Sequence, residues 1–267
     1  MALLIACLVA SAANIRAQQP ADPCATGAPQ ARVNACTAML ARPTLERGAR
    51  VVAFANRATA HDQLDQFELA LADFQAALGL DAHSALALRA RAAALHRHGR
   101  SADALKDLAL AVQQHPDDLA ALRLRGAVYA DTGQFARAVE DFSKVLDREP
   151  DLTVRQARGV ALAAQGDHAR AIGDFTRVLD RNPLARVARA ARALSYFRTR
   201  QYEPAIADWT RLLEADPAQP AVVYCRAAAK VLLGDDTARA ELEQVRQQRP
   251  DVAAAEATAC PVAPATR

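Results

Sequence analysis

Six arginines recur at an almost fixed interval: Arg57, Arg91, Arg125, Arg158, Arg192 and Arg226, separated by 34, 34, 33, 34 and 34 residues. Each is followed 15 or 16 residues later by an acid: Asp73, Asp107, Asp141, Asp174, Asp208 or Glu241. Six guanidiniums in line could serve as a binding ladder, since each offers a fork of donors that matches a carboxylate or phosphate. Equal numbers of acids in fixed register favour another use, ion pairs that tie helix to helix. Such pairs contribute ~0–1 kcal/mol each when exposed, and removing one partner of a buried pair costs more because it strands a charge.

Other chemistry has less to stand on. The sequence holds no HExxH, GxSxG, P-loop or dinucleotide-binding glycine pattern. Its five serines are scattered, and none sits in a glycine elbow. His96 and His98 are two residues apart, which on a helix turns them to different sides, and there is no CxxC pair. No catalytic residue, metal site or cofactor is therefore expected, and the chain reads as a non-enzyme. Net charge is only +3, and most arginines are matched by acids, so a nucleic-acid partner is not expected. One stretch departs from that balance: Arg177, Arg181, Arg186, Arg189, Arg192, Arg198 and Arg200 have only Asp180 among them. It reads as a solvated basic face, or else as a surface for an acidic partner or an anionic surface.

The elements that must carry the ladder are helices. Stretches such as 85–97 and 186–198 are rich in Ala, Leu and Arg, with no internal Pro or Gly. Gly99, Gly133, Gly166 and Gly234 fall where one helix of a unit must give way to the next. A small residue follows each arginine (Ala58, Ala92, Gly126, Gly159, Ala193, Ala227), and an alanine recurs about 12 residues later (Ala70, Ala104, Ala138, Ala171, Ala205, Ala238). Four residues beyond that alanine stands a large apolar side chain: Phe74, Leu108, Phe142, Phe175, Trp209 or Leu242. Two small columns allow two helices to approach closely, and the large residue fills the space they leave. Pro116, Pro150, Pro183, Pro217 and Pro250 close five of the units.

This combination resembles the tetratricopeptide repeat, a 34-residue helix–turn–helix, over residues 51–251. The third unit matches best, with Leu122, Gly126, Tyr129, Gly133, Phe135, Ala138, Phe142 and Pro150. Arg155 and Arg189 stand where the family places a bulky apolar residue, and His61 and Lys230 stand in its tyrosine column. Those units are expected to pack less well. The sixth unit has lost one residue near Asp235 and Asp236. The resemblance implies an all-α, right-handed α-solenoid of about six hairpins. Its expected organisation is a signal peptide over 1–17, an N-terminal segment with a capping helix over 18–50, six repeats over 51–251, and a tail over 252–267.

The resemblance further implies a concave groove lined by the first helix of each hairpin, holding a protein or peptide partner. Carried over position by position, the groove residues include Thr59, Arg89, His96, Arg123, Gln156, Leu194, Phe197 and Tyr224, with Arg89 and Arg123 suited to a carboxylate. Some relatives clamp a peptide's terminal carboxylate with asparagines. Here Thr59 and Ala93 occupy those places, so that activity is not expected.

The chain's ends point to export. An apolar stretch over 3–13, followed by small residues, reads as a signal peptide cleaved after Ala13 or Ala17. It is too short for a membrane helix, which needs about 20 residues. Leu4-Ile5-Ala6-Cys7 alternatively fits a lipobox, which would make the protein a lipid-anchored envelope assembly factor. A third reading is a regulatory arm for an enzyme on another chain. Four cysteines remain beyond the signal, and pairing Cys24 with Cys36 and Cys225 with Cys260 would staple both ends, each contributing ~2–4 kcal/mol in the chain-entropy model. The segment 22–40 also resembles the opening of exported tetratricopeptide proteins of Gram-negative bacteria, which implies a periplasmic or secreted protein.

Overall fold

The structure, a computed structural model, describes residues 22–262. The expected signal peptide, with Cys7, lies outside the described residues. Among those described, every regular element is helical. They fall into two compact units, 22–94 and 95–262.

In the first unit, α1 (Pro29–Leu40) precedes the hairpin of α2 (Arg47–Gln63) and α3 (Phe67–Leu80), and α4 (Ala85–Arg97) begins. Helix α1 packs on α2 as the capping helix that the sequence leads one to expect. Its buried Arg32 donates to Gln63 Oε1 at 3.0 Å and to the Asn56 carbonyl at 3.2 Å. Ahead of it, Cys24 meets Cys36 with Cα atoms 4.7 Å apart, a separation suited to a disulfide.

The second unit begins within α4 and continues with α5 (Ser101–Gln114). Hairpins follow from α6 (Leu119–Asp131) with α7 (Phe135–Arg148), α8 (Leu152–Ala164) with α9 (His168–Arg181), α10 (Arg186–Arg198) with α11 (Tyr202–Ala215), and α12 (Pro220–Leu232) with α13 (Arg239–Gln248). The shortened turn of the last hairpin forms a 3₁₀ turn over Asp236–Ala238. The segment read as a tail carries a further helix, α14 (Pro250–Ala259), which packs on both α12 and α13. Pro250 therefore starts a helix as well as following one, its missing N–H being no loss in a first turn.

The small and large columns meet as expected. Phe74, Leu108, Phe142, Phe175, Trp209 and Leu242 are all buried. A Cβ added to Gly126 would lie 2.7 Å from the Phe142 ring, and one added to Gly159 would lie 2.7 Å from Phe175, so these glycines are required by close approach.

Five of the column arginines pair with the acid expected for them. Arg57 grips Asp73, and Arg125 grips Asp141, through two bonds of 2.7 Å each. Arg158 holds Asp174 at 2.8 and 2.8 Å, and Arg192 holds Asp208 at 2.7 and 2.8 Å. All four aspartates are buried. Hydrogen bonding to the aspartate raises each of these four arginines above its usual pKa, against the opposing effect of burial. Arg91 lies in the first unit and Asp107 in the second.

Candidate functional site: a trough on helices α8 and α10

The structure divides the expected groove residues into three groups. The first is engaged within the protein. Thr59 donates its hydroxyl to the Ala55 carbonyl at 2.9 Å, and Arg89 Nε donates to the Ala85 carbonyl at 3.3 Å. His96 places Nε2 2.9 Å from the Asp131 carboxylate and Nδ1 2.9 Å from Ser101 Oγ. Arg123, expected to meet a partner's carboxylate, instead pairs with Glu149 and, at 3.2 Å, with Asp151. Asp151 also caps α8 by accepting from the backbone of Thr153 and Val154. Those backbone bonds, first that from Val154, hold its carboxyl below the usual range.

The second group is a correction. Phe197 and Tyr224 are core residues, 4% and 1% exposed. Phe197 turns toward its own hairpin, where its ring centroid lies 5.4 Å from Tyr202 and 5.8 Å from Trp209. Tyr224 is buried in a cluster with Ala228, Val231, Ala253 and Cys260, because α14 covers this face of α12. Ala228 and Val231 on the same helix are buried with it.

The third group remains open. Gln156 on α8 and Leu194 on α10 are half-buried, and Val160 between them in the pattern is 46% exposed. Val160, Ala163, Ala191 and Leu194 wall a depression of about 450 Å³, with His168 and Arg198 on its polar side. The sequence reading missed His168 and Arg198, since neither stands at a groove position of a first helix. His168 Nδ1 is buried with no hydrogen-bond partner among the described residues. Arg198 donates to the Thr258 carbonyl at the end of α14, 3.1 Å away. Apolar walls beside an unsatisfied imidazole nitrogen and a guanidinium suit an apolar side chain flanked by an acceptor.

The basic stretch resolves differently. Asp208 takes Arg189 at 3.3 Å as well as Arg192, and Arg186 reaches Asp216 at 3.3 Å. Arg177 and Arg181 remain on the surface, lining a separate depression with Arg155, Asp151 and Asp180.

No helix among the described residues is long and apolar enough to cross a membrane. A search of curated proteins finds no match. Among solved structures, a tetratricopeptide repeat protein from Parabacteroides merdae aligns with a TM-score of 0.58 and 17% identity, over 87% of this chain and 92% of that one. YrrB, described as a TPR protein with an unusual peptide-binding site, aligns with a TM-score of 0.60 and 17% identity, over 69% and 97%. PilF of Pseudomonas aeruginosa gives 0.60 and 17%, over 76% and 94%. At these identities the likeness speaks for the fold. The sequence profile of the tetratricopeptide repeat matches residues 56–118, 97–153 and 156–220, together more than half of the chain. With the hairpins, the small and large columns and the buried pairs all in that register, the chain belongs to the tetratricopeptide repeat family, whose repeats serve as scaffolds for protein–protein interaction.

Proposed function

We propose that this protein is a non-catalytic adaptor of the bacterial cell envelope, holding a helix or extended segment of a protein partner in the trough on α8 and α10. The observation that carries the reading is the depression walled by Val160, Ala163, Ala191 and Leu194, with the unpartnered His168 nitrogen beside it. A partner segment would seat an apolar side chain against these walls and offer an acceptor to His168 or Arg198. The test is affinity for peptides selected on the purified protein from a displayed random library. Val160→Asp should weaken binding by roughly tenfold or more with the thermal midpoint nearly unchanged, and Leu194→Ala should weaken it while costing some stability, since Leu194 also packs on the core. Undiminished affinity in Val160→Asp would place the site elsewhere, with the Arg177 and Arg181 surface next in line.

The compartment is part of the same proposal. The apolar N-terminal stretch and the two closely approached cysteine pairs support export to an oxidising space, where both pairs are bonded. Non-reducing intact mass from the native host tests it. Loss of the first 13 or 17 residues and of four hydrogens is expected, and a full-length, fully reduced cytosolic protein would refute it.

A further inference from the structure

The cysteine pair at the C-terminal end has a third donor beside it. Cys225 on α12 and Cys260 at the end of α14 have Cα atoms 5.3 Å apart. The Glu256 carboxylate lies 3.3 Å from Cys225 Sγ, and the three donor atoms lie within 4.8 Å of one another. Glu256 and Cys260 are four residues apart, and the Cys260 N–H donates to the Glu256 carbonyl, so both face α12. The two cysteines are buried and Glu256 is half-buried, leaving one side of the cluster toward water.

A disulfide does nothing for that carboxylate. It is uncharged and has no hydrogen to donate, and no cation pairs with Glu256 among the described residues. Desolvating a carboxylate without a partner is costly. No such group forms at the N-terminal pair among the described residues, where the Asp22 carboxylate accepts from the Cys24 backbone N–H at 2.9 Å. The placement of Glu256 makes sense if the cluster also exists in a state that offers it a cation.

We propose that Cys225, Glu256 and Cys260, with the disulfide reduced, form a site for a thiophilic divalent cation, Zn²⁺ by its ligand chemistry. A dithiol reductant supplies two electrons and two protons to the sulfur–sulfur bond and itself becomes a disulfide. Binding the cation then displaces the two thiol protons to solvent, leaving two thiolates and one carboxylate as ligands, with water in a fourth position on the open side. Two sulfur donors exclude Mg²⁺ and Ca²⁺, which take oxygen. The cation would hold α14 on α12 in the reduced protein as the disulfide holds it in the oxidised one. This inference does not depend on the partner trough, and in the oxidising compartment proposed above the site forms only after a dithiol reductant has opened the pair.

The experiment uses the full chain, reduced with dithiothreitol and freed of it under anaerobic conditions, then titrated with Co²⁺ and displaced by Zn²⁺. One Co²⁺ per chain with a thiolate charge-transfer band in the near ultraviolet is expected, and none for the unreduced protein. Zn²⁺ should protect Cys225 and Cys260 from alkylation while Cys24 and Cys36 react, a readout that needs no variant to fold. Glu256→Gln should weaken binding by roughly tenfold or more, by comparison with the effect of lost metal-site partners. Absence of the band, protection confined to Cys24 and Cys36, or full affinity in Glu256→Gln would each overturn the site.

Discussion

The hairpins α8/α9 and α10/α11 carry the same repeat columns as α12/α13, yet the two regions are held together differently. In the first two, each central arginine grips its aspartate through both oxygens, and a second guanidinium joins: Arg155 reaches Asp174, and Arg189 reaches Asp208, at 3.3 Å each. Arg158 and Arg192 also extend to the preceding hairpin, donating to Ser143 Oγ at 3.0 Å and Thr176 Oγ1 at 3.1 Å. In the last hairpin the turn is one residue shorter, and Arg226 makes a single 2.8 Å bond to Glu241. Arg226 Nε and Glu241 Oε2 are left buried without partners. The trough is open on α8 and α10 and covered on α12. Inner hairpins can rely on hairpins on both sides, whereas α12/α13 has α14 and a cysteine pair on its far side among the described residues.

The largest expected effect tests the pairs. Asp208→Ala strands Arg192 and Arg189 together and should cost ~3–5 kcal/mol, the range for a broken buried pair. Glu241→Ala removes a single-bonded partner whose own side chain is 36% exposed, against 6% for Asp208, so its cost should be nearer ~1 kcal/mol. Urea unfolding of the two variants checks this, and equal costs would mean that the second bond and the second guanidinium contribute nothing. Next in size is Cys260→Ser. Opening a 35-residue loop should cost ~2–4 kcal/mol, and in a repeat array the loss should stay local. Hydrogen exchange should speed up in α12 and α14 while α8 to α11 keep their protection. Uniform acceleration would show that the end region and the inner hairpins unfold as one.

Gly159→Ala is expected to have a smaller effect, ~1–3 kcal/mol from overpacking against Phe175. Alanine already occupies the equivalent place opposite Trp209, where Ala193 is fully buried. A thermal midpoint unchanged by Gly159→Ala would mean that the α8/α9 hairpin can adopt the spacing of its neighbour at no cost.

The repeat, its helices and the arginine pairs were legible in the sequence because each rests on local spacing. What escaped depended on contacts between distant elements. Arg155 and Arg189 read as packing defects, since nothing local reveals that Asp174 and Asp208 each accept a second guanidinium 19 residues away. Tyr224 and Phe197 read as groove residues because the pattern places them there. Their burial follows from α14 folding onto α12 in one case and from an aromatic cluster within a hairpin in the other. Arg123 looked available, but acids at the α7/α8 junction engage it. Of the expected groove residues, Leu194 lines the α8/α10 depression and Gln156 does not, whereas His168 at the start of α9 and Arg198 at the end of α10 reach it from positions outside the groove pattern.

The smallest expected effect concerns the turn inside each hairpin. Gly99, Gly133, Gly166 and Gly234 adopt φ of 76°, 75°, 91° and 93°. In the same column Asp65 and Arg200 take φ of 58° and 60°, so the turn imposes a left-handed backbone even where the sequence supplies no glycine. That conformation costs an ordinary L-residue roughly 1–2 kcal/mol, and glycine's greater freedom in the unfolded chain offsets about half of the relief. The Arg200 side chain is exposed, and no ion pair holds it among the described residues. Arg200→Gly should therefore stabilise the α10/α11 hairpin by ~0.5–1 kcal/mol, a rise of about 2–4 °C in thermal midpoint at most. Asp65→Gly should gain less, because aspartate tolerates the left-handed region better than arginine does. If Arg200→Gly gained no more than Asp65→Gly, the backbone at Arg200 would carry no strain beyond that at Asp65.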